Sequence, residues 1–120
     1  MTLKISVRQV DNVAVVDLSG RITLGEASGA LRDAIKDLLA KDQKNILLNL
    51  ADVTYIDSSG LGELVGGFAT VNNRGGRLKL VNVQKRVHEL MQITKLYSVF
   101  EVHTDETAAV RSFQSKAVGV

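Results

Sequence analysis

The chain of 120 residues contains no cysteine and no proline. Without cysteine there are no disulfides, no thiolate catalysis and no Cys-ligated metal, a composition that suits a reducing compartment. Without proline every turn relies on Gly, Asn and Asp. The chain also has little net charge: +2 is too small to suggest a nucleic-acid partner, and Lys4, Arg8, Arg32, Lys36, Lys41 and Lys44 are scattered instead of forming a stripe. No apolar run approaches the ~20 residues of a membrane span. The first residues read as a strand, not as a basic segment followed by an apolar signal region. A cytoplasmic protein with no membrane and no direct nucleic-acid partner is therefore expected. Its apolar fraction of 45% and charged fraction of 23% are ordinary for a single globular domain able to bury a core.

The apolar pattern predicts β-β-α-β-α-β-α-β-α. Leu3, Ile5 and Val7 alternate with polar residues as in a half-buried strand, Asp11-Asn12 turns the chain, and Val13 to Leu18 returns as a second strand. Thr23 and Glu26 have the spacing of a capping box, with each side chain satisfying the other residue's amide. Ala27, Leu31, Ala34, Ile35, Leu38 and Leu39 then repeat at helical spacing. Asn45 to Leu50 is uninterrupted, as in a central strand covered on both faces. A glycine-rich helix follows and closes at Asn73-Arg74-Gly75-Gly76. A strand through Leu78, Leu80 and Val81, a helix from Gln84 to Ile93, a short strand from Val99 to Val102 and a helix from Asp105 to Phe113 complete the order. The alternation predicts an α/β fold with a partly parallel sheet. The domain is expected over residues 1–114, with a loose tail from Ser115 to Val120.

The polar group Asp57-Ser58-Ser59-Gly60 falls where the buried strand gives way to the glycine-rich helix. Sites in open α/β sheets are usually built at such strand ends. On local chemistry Ser58 has two roles. One is helix N-cap, although neither serine has the Glu or Gln three residues on that completes a capping box. The other is a phosphate acceptor, since helix N-termini accommodate negative charge. Gly62, Gly66 and Gly67 each cost a helix interior ~1 kcal/mol. Ser59, Gly62, Gly66 and Ala69 form a smooth strip, suited either to close packing inside the protein or to approach by a partner. No catalytic constellation is visible. The glycine pattern of a nucleophile elbow is broken by Asp57, and the Gly-Lys-Ser/Thr of a P-loop is missing. His88, expected on a solvent-facing side, and His103, at a strand end, have no spacing that recommends a base or a metal site. No cofactor is expected.

Val53-Thr54-Tyr55-Ile56-Asp57-Ser58-Ser59-Gly60-Leu61-Gly62, preceded by Asn49-Leu50, resembles the core motif of the STAS family, the domain of sulphate transporters and anti-sigma factor antagonists. Leu18-Ser19-Gly20, Gly75-Gly76 and Leu78 to Val83 add to the likeness, which spans about Leu3 to Phe113. Within the family, a small domain with Asp-Ser-Ser-Gly-Leu-Gly resembles the bacterial anti-sigma factor antagonists. The resemblance implies a mixed sheet of four or five strands carrying about four helices. It implies a non-enzymatic role, binding to an anti-sigma factor that is also a serine kinase with a histidine-kinase-like ATPase fold, and so freeing a sigma factor. Phosphorylation of the serine after the motif aspartate, Ser58 here, would abolish binding, and a PP2C-type phosphatase would restore it. The implied interface comprises Asp57, Ser58, Ser59, Gly60, Leu61, Gly62, Glu63 and Gly66, together with Arg21 and Thr23 in the loop from Gly20 to Leu24. Relatives often read Gly-Glu-hydrophobic-Asp where this chain has Gly20-Arg21-Ile22-Thr23, so Thr23 replaces an acidic residue and Arg21 reverses a charge. An alternative role is a non-switching scaffold or accessory STAS subunit of a signalling or lipid-transport complex.

Overall fold

Asp11, at φ 54°, takes the left-handed conformation that Asp tolerates and folds strand β1 (Lys4–Val10) back on β2 (Val13–Ile22). The computed structural model describes residues 3–115. After the hairpin come α1 (Glu26–Ala40), β3 (Asn45–Ile56), α2 (Ser58–Asn73), β4 (Arg77–Val81), α3 (Lys85–Ile93), one 3-10 turn (Tyr97–Val99), β5 (Val102–His103) and α4 (Glu106–Ser115). The five strands lie in sequence order, β1 antiparallel to β2 and every later pair parallel. The predicted mixed sheet with four helices is thus the observed fold.

Its two faces are covered unequally. Ile46, Leu48 and Leu50 of β3, with Ala14, Val16 and Leu18 of β2, pack under α1, α2 and α3 through Leu31, Ile35, Leu61, Leu64, Val87 and Met91. Val13, Val15, Leu47 and Val81 point the other way, onto Ala109, Val110 and Phe113 of α4. β2 is therefore an inner strand buried on both faces, and Val13 and Val15 are as buried as Ala14 and Val16. Lys79, on the opposite face from Leu78 and Leu80, is covered by α4 and only 4% exposed. Its ammonium donates to Ser112 Oγ at 2.8 Å, pairs with Glu101 at 2.9 Å and lies 4.6 Å from the Phe113 ring. Those partners are what make the burial of a cation tolerable. Arg8 adds a surface clamp, bridging Asp17 of β2 and Glu106 of α4.

Four local expectations differ. β2 runs on to Ile22, beyond the expected Leu18, because it keeps pairing with β3 through irregularities at Asp17/Ser19 and Gly20/Arg21. The last strand shrinks to Val102–His103, since Tyr97–Val99 coils into a 3-10 turn. Val7 stays 44% exposed on the edge strand. Helix α4 continues to Ser115, and the tail expected to be loose falls, from residue 116, outside the described residues. At the other end of α2 the expected glycine closure is present: Gly75 has φ 80° and the Gly76 amide donates to Val71 O at 2.9 Å.

Candidate functional site

The strand-to-helix junction is held by Asp57, not by either serine. Asp57 is the N-cap of α2. Its Oδ1 accepts the Gly60 amide at 2.7 Å and its Oδ2 accepts the Leu24 amide, from the β2–α1 loop, at 3.1 Å. The Asp57 amide in turn donates to Ile22 O at 3.2 Å, and the Leu61 amide closes the first turn on Asp57 O at 2.9 Å. One carboxylate thus fastens the start of α2 to the end of β2. Ser58, read from the sequence as a cap or a phosphate acceptor, is the first residue of the helix and exposed, and its side chain makes no hydrogen bond among the described residues. The capping role passed to the residue before it because aspartate at a strand end already has the extended backbone of an N-cap, φ −99° and ψ −177°.

The Thr23–Glu26 capping box does not form. Helix α1 starts at Glu26 with Gly25, at φ 103°, in the N-cap position and no side-chain cap bond. The extension of β2 to Ile22 leaves Thr23 and Leu24 as a tight connector, in which the Thr23 carbonyl accepts the Ser28 amide at 3.2 Å. Leu24 is tied to Asp57 instead and leaves its side chain 76% exposed beside the motif.

The amides of Gly60 and Leu24 hold the Asp57 carboxyl below the ordinary carboxylate range, the Gly60 bond foremost and burial opposing. Stability from this capping is present above the unfolded-state value of ~3.9 and lost as pH falls through the lower folded-state value. Asp57→Ala is expected to lower the unfolding free energy by about 1–2 kcal/mol at neutral pH. The gap between wild type and variant should close as pH drops below about 4. Urea unfolding across that range measures both effects.

The glycines of α2 divide by environment. Gly60 is buried, and a Cβ there would overlap the Ile22 carbonyl oxygen and stand 2.8 Å from its carbon. At Gly67 a Cβ would meet the end of the Ile35 side chain at 2.7 Å. Gly62 and Gly66 instead face open space, and with Ala69 they form an exposed strip leading away from Ser59, which is itself half-buried. The sequence had made Gly66 a plausible site of internal close packing, but that role falls to Gly60 and Gly67. Gly62→Ala and Gly66→Ala should each stabilise the protein by about 0.5–1 kcal/mol, because a helix interior prefers alanine and nothing obstructs the methyl group. Thermal unfolding of the two variants checks this.

Of the remaining residues predicted for the site, Leu61 is buried in the core and contributes packing beneath the surface. Glu63 forms an ion pair with Arg32 of α1, so it presents a pair and not a lone charge. Arg21 lies on the rim, its guanidinium 4.7 Å from the centre of the Tyr55 ring. On the other side of Ser58 is an element that sequence reasoning left out. A groove of about 640 Å³ runs between the motif and α3, lined among others by Tyr55, Ser58, Arg86, Leu90 and Ile93. Ile93 is 78% and Tyr55 41% exposed. An available signal was the pair Lys85-Arg86 at the start of a helix with no acidic residue in its first turn.

Neither histidine hydrogen-bonds to Ser58 or Ser59. His88 is half-buried with its ring 4.4 Å from that of Tyr97, a correction to its expected solvent-facing position. His103 pairs with Glu101 at 2.6 Å. No group of three His, Asp or Glu among the described residues could hold a metal ion, and no helix among them is long and apolar enough to cross a membrane.

Comparison with known proteins meets this geometry at each level. The anti-sigma-B factor antagonist of Bacillus subtilis (strain 168) is 33% identical over 111 residues, covering 92% of this chain and 100% of the relative. A crystal structure of an anti-sigma factor antagonist from Mycobacterium paratuberculosis matches with a TM-score of 0.82 at 22% identity, over 93% of this chain and 94% of its own. The Bacillus cell fate determinant SpoIIAA, solved in its phosphorylated form, matches with a TM-score of 0.71 at 21% identity, over 91% of this chain and 98% of its own. Residues 4–109 match the STAS domain, the same span that carries the sheet, the Asp57 junction and the exposed serine. The chain belongs to the STAS domain family.

Proposed function

We propose that this protein is an anti-sigma factor antagonist, a binding module that captures an anti-sigma factor when Ser58 is unmodified and is released by phosphorylation of Ser58. The observation that carries the reading is the division of labour at the junction. Asp57 does the capping, which leaves the Ser58 hydroxyl exposed on a rigidly held turn. A kinase can reach such a hydroxyl without unfolding anything, and the N-terminus of α2 accommodates the phosphate that results. The docking surface comprises Asp57, Ser58, Ser59, Gly62, Glu63 and Gly66, with Arg21 and Thr23 at its rim and the buried Gly60 and Leu61 as its support. Exposure of the strip at Gly62 and Gly66 favours this, since helix glycines that cost stability and pack on nothing suit the close approach of a partner.

Relatives named anti-sigma factor antagonists, and a phosphorylated form among proteins of the same fold, support the assignment. The partner class is an anti-sigma factor that is also a serine kinase with a histidine-kinase-like ATPase fold, and a PP2C-type phosphatase resets the switch. The test is competition. Added to a preformed complex of the cognate anti-sigma factor and sigma factor, the unmodified protein should displace the sigma factor, read by size-exclusion chromatography and by restored transcription in vitro. A sigma factor that stays bound at saturating protein refutes the assignment.

A further inference from the structure

The groove beside Ser58 contains a charge that the fold itself does not use. Arg86 sits in the first turn of α3, directly after Lys85, and that turn has no acidic residue. Cations there oppose the helix macrodipole, which favours the opposite sign at this end. Arg86 is exposed and forms no ion pair or hydrogen bond among the described residues. Glu89 also lines the groove, one turn further along α3, yet it is not paired with Arg86. Asp57, the other acid at the groove, has both carboxylate oxygens engaged by amides. An unfavourably placed, unpaired guanidinium lining the same groove as an exposed serine hydroxyl is a local conflict without a structural gain.

We infer that Arg86 is the internal counter-charge for a phosphoryl group on Ser58, drawing it into the groove against α3. The inference rests on the reading of Ser58 as a phosphate acceptor and adds where the phosphate goes. A guanidinium offers paired N–H donors that match phosphate oxygens, and the new ion pair relieves the charge conflict at the start of α3. A phosphate seated there covers part of the groove over Leu90 and Ile93, so modification changes the shape of the surface as well as its charge.

The test installs phosphoserine at position 58 during translation, so that neither kinase nor partner is needed, and follows the 31P NMR shift of the intact protein against pH. Free phosphoserine loses its second proton near pH ~6. The midpoint should lie about 0.5–1 pH unit lower in the Arg86 protein than in Arg86→Gln, with Arg86→Lys between them. Lys85→Gln, which removes a neighbouring charge without removing the fork, should move it less. Equal midpoints in the Arg86 protein and Arg86→Gln overturn the inference, as does a Lys85→Gln shift as large as that of Arg86→Gln. A Ser58 that its cognate kinase leaves unmodified would remove the switch and leave this titration difference in place, so the two failures are distinguishable.

Discussion

Gly60→Ala is expected to lower the unfolding free energy by about 3 kcal/mol, the upper end of what overpacking a dense interior costs. The added methyl group would overlap a backbone carbonyl, that of Ile22, and not the end of a flexible side chain. That carbonyl cannot simply retreat, because it accepts the Asp57 amide at 3.2 Å and belongs to the buried Ile22, which is paired with Ile56 of β3. Moving it would loosen the Asp57 bonds to Gly60 and Leu24 at the same time. Urea unfolding should show a lower midpoint at unchanged slope, whereas the same substitution at Gly62 or Gly66 should raise the midpoint. A Gly60→Ala variant as stable as wild type would mean that β2 and α2 do not approach as described.

Ser58→Glu is expected to weaken binding of the cognate anti-sigma factor by roughly 100-fold, while Ser58→Ala binds as wild type does. The unmodified hydroxyl makes no bond within the described residues, so its removal costs the fold nothing. A carboxylate at the same place adds negative charge beside Asp57, and a like or desolvated charge across an interface costs several kcal/mol. Both variants should unfold at nearly the wild-type temperature, because position 58 is exposed and the first turn of a helix tolerates an acid. Calorimetric titration separates the cases. Equal affinity for both variants would point to the scaffold role instead of the switch.

The periodic parts of the chain were legible from sequence. Helical repeats such as Leu31, Ile35, Leu38 and the unbroken run Ile46-Leu47-Leu48 predicted buried faces that the fold contains. The junctions were harder to read. Thr23 and Glu26 had the right spacing for a cap, but spacing carries no information on how far β2 keeps pairing with β3, and that pairing moved the helix start to Glu26. Asp57 was visible only as a motif residue, since its bond to the Leu24 amide joins positions 33 residues apart. The split of the glycines was equally hidden, because Gly60 and Gly66 differ in what lies opposite and not in their neighbours along the chain. Arg86 and the α3 side of the groove lay outside every motif, and only tertiary packing puts them next to Ser58.

Control of this surface by one phosphate on Ser58 is measured by the binding isotherm of the cognate anti-sigma factor, taken before and after stoichiometric phosphorylation mapped to Ser58. Saturable one-site binding is expected before modification and no measurable binding at the same concentrations afterwards, with phosphatase treatment restoring the first curve. Superimposable isotherms for the two forms would contradict it.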